Sequence, residues 1–392
     1  MVTAENYSSP RYQTATGFDG VVRISYTISN QFVYTGTGTL LYDGRAVLTA
    51  AHLFYGAVGS TTVEFDTVNG AGVLAASQVV IDPSYDPING NNDLALVFLD
   101  ELAPLSADRY QLYRASDEID RDVTLVGFGS IGTGDSGAVD NPTDLRLQAK
   151  NTIDLTDIEF NPKVNTEWTP RDMIFADFDS GNSANDAFGR LASKVDLGTG
   201  ASEGMIAQGD SGGPAFIDGQ VAGVASYTTS ISSGLYQPDV DNLVNSSFGE
   251  IGAWQRISAH QEWIDTQIRQ NYEGAPTRAA DVNLSPSETS ERTFFMVQFN
   301  GIRESDQIVS VDYATRNGTA VAGEDYLAVQ GRLNLYPNEK YALIPVELIN
   351  DSSSEGNETF FLDVFNPVGG SFGGVELLTA TRTIVDDDLW LG

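Results

Sequence analysis

The chain has 392 residues, 41% of them hydrophobic, with 39 glycines, no cysteine and a formal net charge of −33 at pH 7. That length gives about two or three domains, and the apolar fraction with frequent glycine suits globular, β-rich structure. The charge excludes nucleic acid and anionic membrane surfaces as primary partners, and no segment approaches the length of a transmembrane helix.

Residues 1–20 lack the basic and apolar regions of a signal peptide, so a secreted form would carry its leader elsewhere. Ala46–His52 (AVLTAAH) is a short apolar run ending in small residues, as in a buried strand that delivers a side chain at its end. Asn91–Leu99 (NNDLALVFL) sets Asp93 at the mouth of a second apolar strand. Further on, Asp177–Asp186 (DFDSGNSAND) crowds oxygen ligands of the kind calcium accepts. Its spacing is not that of an EF-hand, and it reads as a solvated acidic loop in preference to a metal site.

Ala207–Pro214 (AQGDSGGP) is the most informative segment. A serine among glycines sits on a tight turn whose N–H groups can converge on one spot, which makes Ser211 a candidate nucleophile. Alone, such a cluster is an ordinary surface loop. A serine hydroxyl also needs a base, and imidazole is the usual one; His52 and His260 are the only histidines. In Ser258–Arg269 (SAHQEWIDTQIR), Ser258 and Gln261 form a capping-box pattern, and Trp263, Ile264 and Ile268 mark one helical face. His260 is then a first-turn helix residue and His52 the base. Asp93 supplies the carboxylate that holds the imidazole tautomer, giving the chain order His, Asp, Ser.

With these pieces, the first two-thirds of the chain resembles the trypsin/chymotrypsin-type serine proteases. The matching segments are Gly36–Leu41 and Leu48–His52, Asp82–Asp86 leading to Asn92–Leu96, Gly209–Pro214, Gly223–Tyr227, and the helix around Trp263-Ile264. The resemblance implies an all-β fold of two six-stranded antiparallel β-barrels with a C-terminal helix over residues 12–272, after an N-terminal extension of residues 1–11. It implies a triad of His52, Asp93 and Ser211, with the N–H groups of Gly209 and Ser211 as oxyanion hole. No cofactor is needed for that chemistry, and the partner is a protein or peptide substrate.

Carried over by position, substrate-binding residues are Met205, Gln208, Ser226, Tyr227, Thr228 and Gly252. Met205, six before the nucleophile, stands at the base of the specificity pocket in place of an acid, and Thr228 stands where many relatives have glycine. An uncharged, narrowed slot predicts an apolar, small to medium P1 residue. The long segment Thr229–Gly249 offers Asp239 and Asp241, with Glu250 beside it, as acids that could still enter the pocket. In zymogens of this family a freed N-terminus inserts beside the acid preceding the nucleophile, here Asp210. Arg11-Tyr12 lies at nearly the right distance for such a cleavage, but Tyr12 is not the small aliphatic terminus expected, which favours a different accommodation of the N-terminal segment. Secreted relatives commonly use disulfides, so the lack of cysteine favours a bacterial origin.

Residues 273–280 lose periodicity and read as a linker. Beyond it, Thr293–Phe299 and Tyr341–Leu348 alternate as strands of a β-sandwich, and acidic residues gather at the turns. Asp312–Tyr326 (DYATRNGTAVAGEDY), Glu355–Phe360 (EGNETF) and Ile384–Asp388 (IVDDD) make residues 281–389 similar to a Calx-beta domain. That resemblance implies structural calcium, with ligands drawn from Glu288, Asp325, Asp351, Glu355, Glu358, Asp386, Asp387 and Asp388. The expectation is a secreted, extracellular serine endopeptidase with a calcium-binding accessory domain. The alternative is a calcium-dependent adhesion or matrix-binding protein, meeting an extracellular-matrix or cell-surface partner through an inactive protease fold.

Overall fold

Between Val21 and Leu99 the β-branched and aromatic runs close into a six-stranded barrel. Around it the strands follow the order Val21–Ile28, Phe32–Leu40, Ala46–Thr49, Ala95–Leu99, Gly70–Ile81 and Val58–Thr67. The computed structural model describes residues 1–14, 17–28, 32–56, 58–139, 145–163, 168–234 and 236–388; the closing Leu389-Trp390-Leu391-Gly392 lie outside them. Ala46–Thr49 and Ala95–Leu99 are buried along their whole length, and each lies between two antiparallel barrel neighbours. Their antiparallel register sets Thr49 opposite Ala95. His52, three residues past one strand, and Asp93, two before the other, therefore emerge at the same end of the pair.

The second expected barrel is an open seven-stranded sheet. Its order is Leu147–Thr152, Asp122–Gly127, Pro214–Ile217, Gln220–Thr229, Ile251–Arg256, Met173–Asp177 and Leu155–Thr156. The last strand is only two residues long and runs straight into the helical turn Asp157–Phe160, so it ends the sheet instead of returning to its first strand. Trp254, Ile174, Phe178, Met205 and Ile217 fill the core on this side. A smaller sheet pairs Val2–Thr3 with both Gly132–Thr133 and Gly204–Met205, which draws the first residues inward: Met1 and Val2 are fully buried.

The helix Ile257–Gln270 forms as its pattern predicts, with Ile264 and Ile268 buried. The helix starts at Ile257, so Ser258 is its second residue and not its N-cap. The Ser258 hydroxyl donates to the buried Glu118 carboxylate at 2.6 Å, and the Gln261 side chain donates to the Ser258 carbonyl at 2.8 Å. Among the described residues no helix is long and apolar enough to cross a membrane.

The chain packs as two compact units, Met1–Ile264 and Asp265–Gly392, the division falling inside this helix. In the second unit, Arg292–Gln298 pairs with Tyr341–Glu347. A four-stranded sheet orders Gln330–Leu335, Val309–Asn317, Glu358–Val368 and Leu377–Ile384. The inner faces share one core of Phe295, Val311, Tyr326, Ile344, Phe360 and Leu362, as expected of a sandwich. Tyr326 and Phe360 stack at 4.2 Å between ring centroids near its centre.

Candidate active site

The short turn of helix Ala51–Phe54, directly after the Ala46–Thr49 strand, presents His52. Its backbone N–H donates to Asp93 Oδ1 at 2.8 Å, and its ring Nδ1 lies 2.7 Å from Asp93 Oδ2. Asp93 is held from behind: its own N–H donates to Gln255 Oε1 at 3.0 Å, and the Ser226 hydroxyl donates to Oδ2. A left-handed Asn92, with its side chain on the Ser84 carbonyl, turns the chain into that position. The carboxylate is almost wholly buried while the imidazole is about one-third exposed. Because the carboxylate can only accept, its contact with Nδ1 selects the Nδ1–H tautomer and leaves the opposite nitrogen to take a proton. Tyr85 and Tyr227 flank the site with neutral phenols, pushed upward in pKa first by burial and then by the Asp93 charge.

Ser211 lies on the turn before the Pro214–Ile217 strand. Gly209 and Gly212 adopt φ of +94° and +83°. A Cβ on Gly212 would stand 2.0 Å from Thr49 Oγ1 and 2.3 Å from the Thr37 carbonyl, so only glycine fits there. Thr37 anchors the loop to the barrel, its N–H donating to the Ser211 carbonyl at 2.9 Å and its hydroxyl to the Gly209 carbonyl at 2.9 Å. Through residues 209–213 the N–H groups divide by role. Those of Asp210, Gly212 and Gly213 donate to Ala207, Ala225 and Asp210 carbonyls, whereas those of Gly209 and Ser211 donate to no acceptor among the described residues. Two unspent donors bracketing the serine are what an oxyanion hole requires.

The conformation is locked by Asp210. Its Oδ1 accepts from Gly129 N at 2.8 Å, and its Oδ2 accepts from Ala207 N at 2.9 Å and pairs with the Met1 ammonium at 2.9 Å. The same ammonium donates to the Ser130 carbonyl at 2.7 Å. The amine beside Asp210 is that of Met1. Tyr12 is fully buried, and its hydroxyl donates to the Ala201 carbonyl.

Beside Ser211 opens a cleft of roughly 420 Å³. Its walls include Ala207, Gln208, Ser226, Tyr227, Thr228 and the segment Val244–Ser246. Met205 and Gly252, expected at its base and wall, are not among the lining residues. Met205 is fully buried in the core, and its sulfur lies 2.6 Å from where a Gly252 Cβ would stand. The acids of the long segment also stay out. Asp241 accepts from the Asn245 side chain, and Glu250 from the N–H groups of Asn245 and Ser247. They shape the loop that brings Val244, Asn245 and Ser246 to the wall.

In the second unit the expected ligands form two carboxylate groups, Glu288 with Asp386 and Asp388, and Asp325 with Glu355 and Glu358. Within each group, ligand oxygens lie within 4.8 Å of one another. The Glu355 N–H donates to Asp386 Oδ2 at 2.7 Å, which places the groups side by side. Burial and then the neighbouring carboxylates push Glu288 and Glu358 up to about 7. Asp387 instead accepts from the Ser287 and Thr289 hydroxyls, and Asp351 accepts from Ser353 N at 2.6 Å.

The chain matches two domain families in succession. Residues 13–189 match the Trypsin family model and residues 280–388 the Calx-beta domain model. The first match stops short of Ser211, so that residue's place rests on the geometry above. The chain is 38% identical over 79 residues to the sodium/calcium exchanger Calx of Drosophila melanogaster, covering 20% of this chain and 8% of that protein. It is 34% identical over 89 residues to an uncharacterized peptidase of Corynebacterium glutamicum, covering 22% of this chain and 28% of that protein. The chain spans less than a third of the length of either curated relative. A solved structure of neuropsin, a serine protease of mouse brain, aligns over 66% of this chain and 98% of its own, at 18% identity and a TM-score of 0.46.

Proposed function

We propose that the chain is a serine endopeptidase that cleaves peptide bonds through an acyl-enzyme. The observation that carries this is the pairing of a buried, oriented Asp93–His52 couple with two unspent N–H donors at Gly209 and Ser211. His52 takes the Ser211 proton as Oγ attacks the carbonyl carbon, and Asp93 stabilises the imidazolium. The Gly209 and Ser211 N–H groups receive the oxyanion, His52 returns the proton to the leaving amine, and water repeats the sequence on the ester.

The lining residues of the cleft carry no charge, and Thr228 narrows it, which supports a small to medium apolar P1 residue. Cleavage-site profiling on a peptide library, with Ser211→Ala as control, tests this. Enrichment of Lys or Arg at P1 would contradict it.

The same reading gives the Calx-beta unit a structural role with calcium. Its two groups are all-oxygen, offer carboxylates only, and carry raised pKa values that a divalent cation would relieve. The acidic composition and a peptidase domain with an accessory module support action outside the cell on protein substrates.

A further inference from the structure

The stretch Asp177–Asp186, which reads as a solvated loop, is folded into the first unit. Asp154, Asp177, Asp179, Asp186 and Glu203 are exposed by only 2%, 1%, 4%, 3% and 0%. Backbone donors orient most of them. Asp154 Oδ2 accepts from Asp177 N at 3.3 Å and Asp177 Oδ2 from Phe188 N at 2.8 Å. Asp186 caps the short helix Ala187–Leu191 through Gly189 N, and Glu203 Oε2 accepts from the Thr199 N–H and hydroxyl. The remaining oxygens are orphans: Asp154 Oδ1, Asp177 Oδ1, Asp179 Oδ1 and Glu203 Oε1 are buried without a hydrogen-bond partner. One carboxylate oxygen each from Asp177, Asp179 and Asp186 lies within 4.8 Å of the others.

Such a cluster is unstable as it stands. Burying an unpaired carboxylate is strongly unfavourable, and no ion pair to Lys, Arg or His is formed by these five among the described residues. Arg190, the cation nearest in effect on Asp186, donates to the Ser183 carbonyl and lies over the Tyr236 ring. A cation satisfies the orphan oxygens and the charge together. The donors are hard oxygens with no imidazole or thiolate, which selects calcium over transition metals, and the irregular loop suits its flexible coordination.

We propose that Asp177, Asp179 and Asp186, with Asp154 and Glu203 beside them, form a calcium site inside the peptidase unit, separate from the Calx-beta groups. Gly198, at φ +79°, keeps the space open, since a Cβ there would stand 2.7 Å from both Asp179 Cβ and Glu203 Oε2. Glu203 immediately precedes Gly204–Met205, the strand paired with Val2–Thr3, and the chain then runs through Ala207 and Gln208 to Gly209. The ion would tie this insertion to the segment that forms the cleft wall and the oxyanion loop.

The test uses the full chain and reads binding, so it stands apart from peptidase activity. In a background with the Calx-beta groups neutralised (Glu288→Gln, Asp325→Asn, Glu358→Gln, Asp388→Asn), calorimetric titration is expected to retain one calcium per chain, and calcium to raise the Tm. Adding Asp179→Asn weakens that binding about tenfold or more and removes the Tm response. In chelator, the added variant is at least as stable as its parent, because a buried charge has gone. No calcium bound by the background, or an unchanged titration after Asp179→Asn, overturns the proposal. Should the background fail to fold, Asp179→Asn in the otherwise unaltered chain is expected to bind one calcium fewer, and equal stoichiometry overturns it.

Discussion

The Met1 ammonium sits 2.9 Å from the Asp210 carboxylate in an ion pair that solvent does not reach. Asp210 is the residue before Ser211 and also receives Gly129 N and Ala207 N, so the pair sets the loop whose Gly209 and Ser211 N–H groups stand free. Removing one partner of a buried pair costs about 3–5 kcal/mol. Asp210→Asn is therefore expected to lower the acylation rate roughly hundredfold, the worth of an oxyanion donor, with His52 and Asp93 intact. Stopped-flow acylation with a chromogenic ester checks this; a wild-type rate would contradict it.

Gln255 extends the network to Asp93. Its Oε1 takes the Asp93 N–H, while its Nε2 donates to the Asp172 carbonyl at 2.9 Å and lies 3.1 Å from His260 Nε2. Gln255→Leu strands the Asp93 N–H, at about 1–3 kcal/mol for an unsatisfied buried donor. Because the residue orients Asp93 without touching substrate, kcat should fall while KM holds. A change confined to KM would argue against this positioning role.

His260 gives stability a pH dependence with a definite sign. Burial lowers its pKa, partly opposed by Asp172 and Asp82, whose Oδ2 is 4.0 Å from Nδ1. The unfolded chain therefore takes the proton first, near pH 6.5. The stability is present above that pH and is lost as pH falls through the folded pKa, at a slope of at most about 1.4 kcal/mol per pH unit. Urea unfolding between pH 7 and 5 should show a shallower decline for His260→Gln than for wild type; parallel profiles would count against it.

How much of this was legible in sequence follows from the range of each signal. His52, Asp93 and Ser211 could be read because each ends or precedes a short apolar strand with a recognisable local pattern. The sandwich followed from alternation, and the closed first barrel from the resemblance to the trypsin/chymotrypsin-type proteases. Met1, Thr37 and Gln255 were not read, since their roles depend on partners far along the chain with no local mark. Met205 was read from its offset to Ser211, but Val244–Ser246 form the wall instead, because a long segment folds over that side. The acids at 177–186 looked solvated because burial is a property of what packs above them.

For the Calx-beta unit, calcium binding to the native state alone raises stability by about 2.7 kcal/mol at a hundred times Kd. Differential scanning calorimetry of the full chain should show a calcium-dependent rise in Tm. Glu358→Gln with Asp388→Asn should lower the number of ions bound and shrink that rise. An identical response in the variant would remove these groups as ligands.

The central claim is that Ser211 is an activated nucleophile, and a serine-reactive fluorophosphonate probe measures this directly. The folded chain should be labelled stoichiometrically at Ser211, and labelling should vanish in Ser211→Ala and fall steeply in His52→Ala. Folded wild-type protein that takes up no label, or label that persists in Ser211→Ala, would contradict the account.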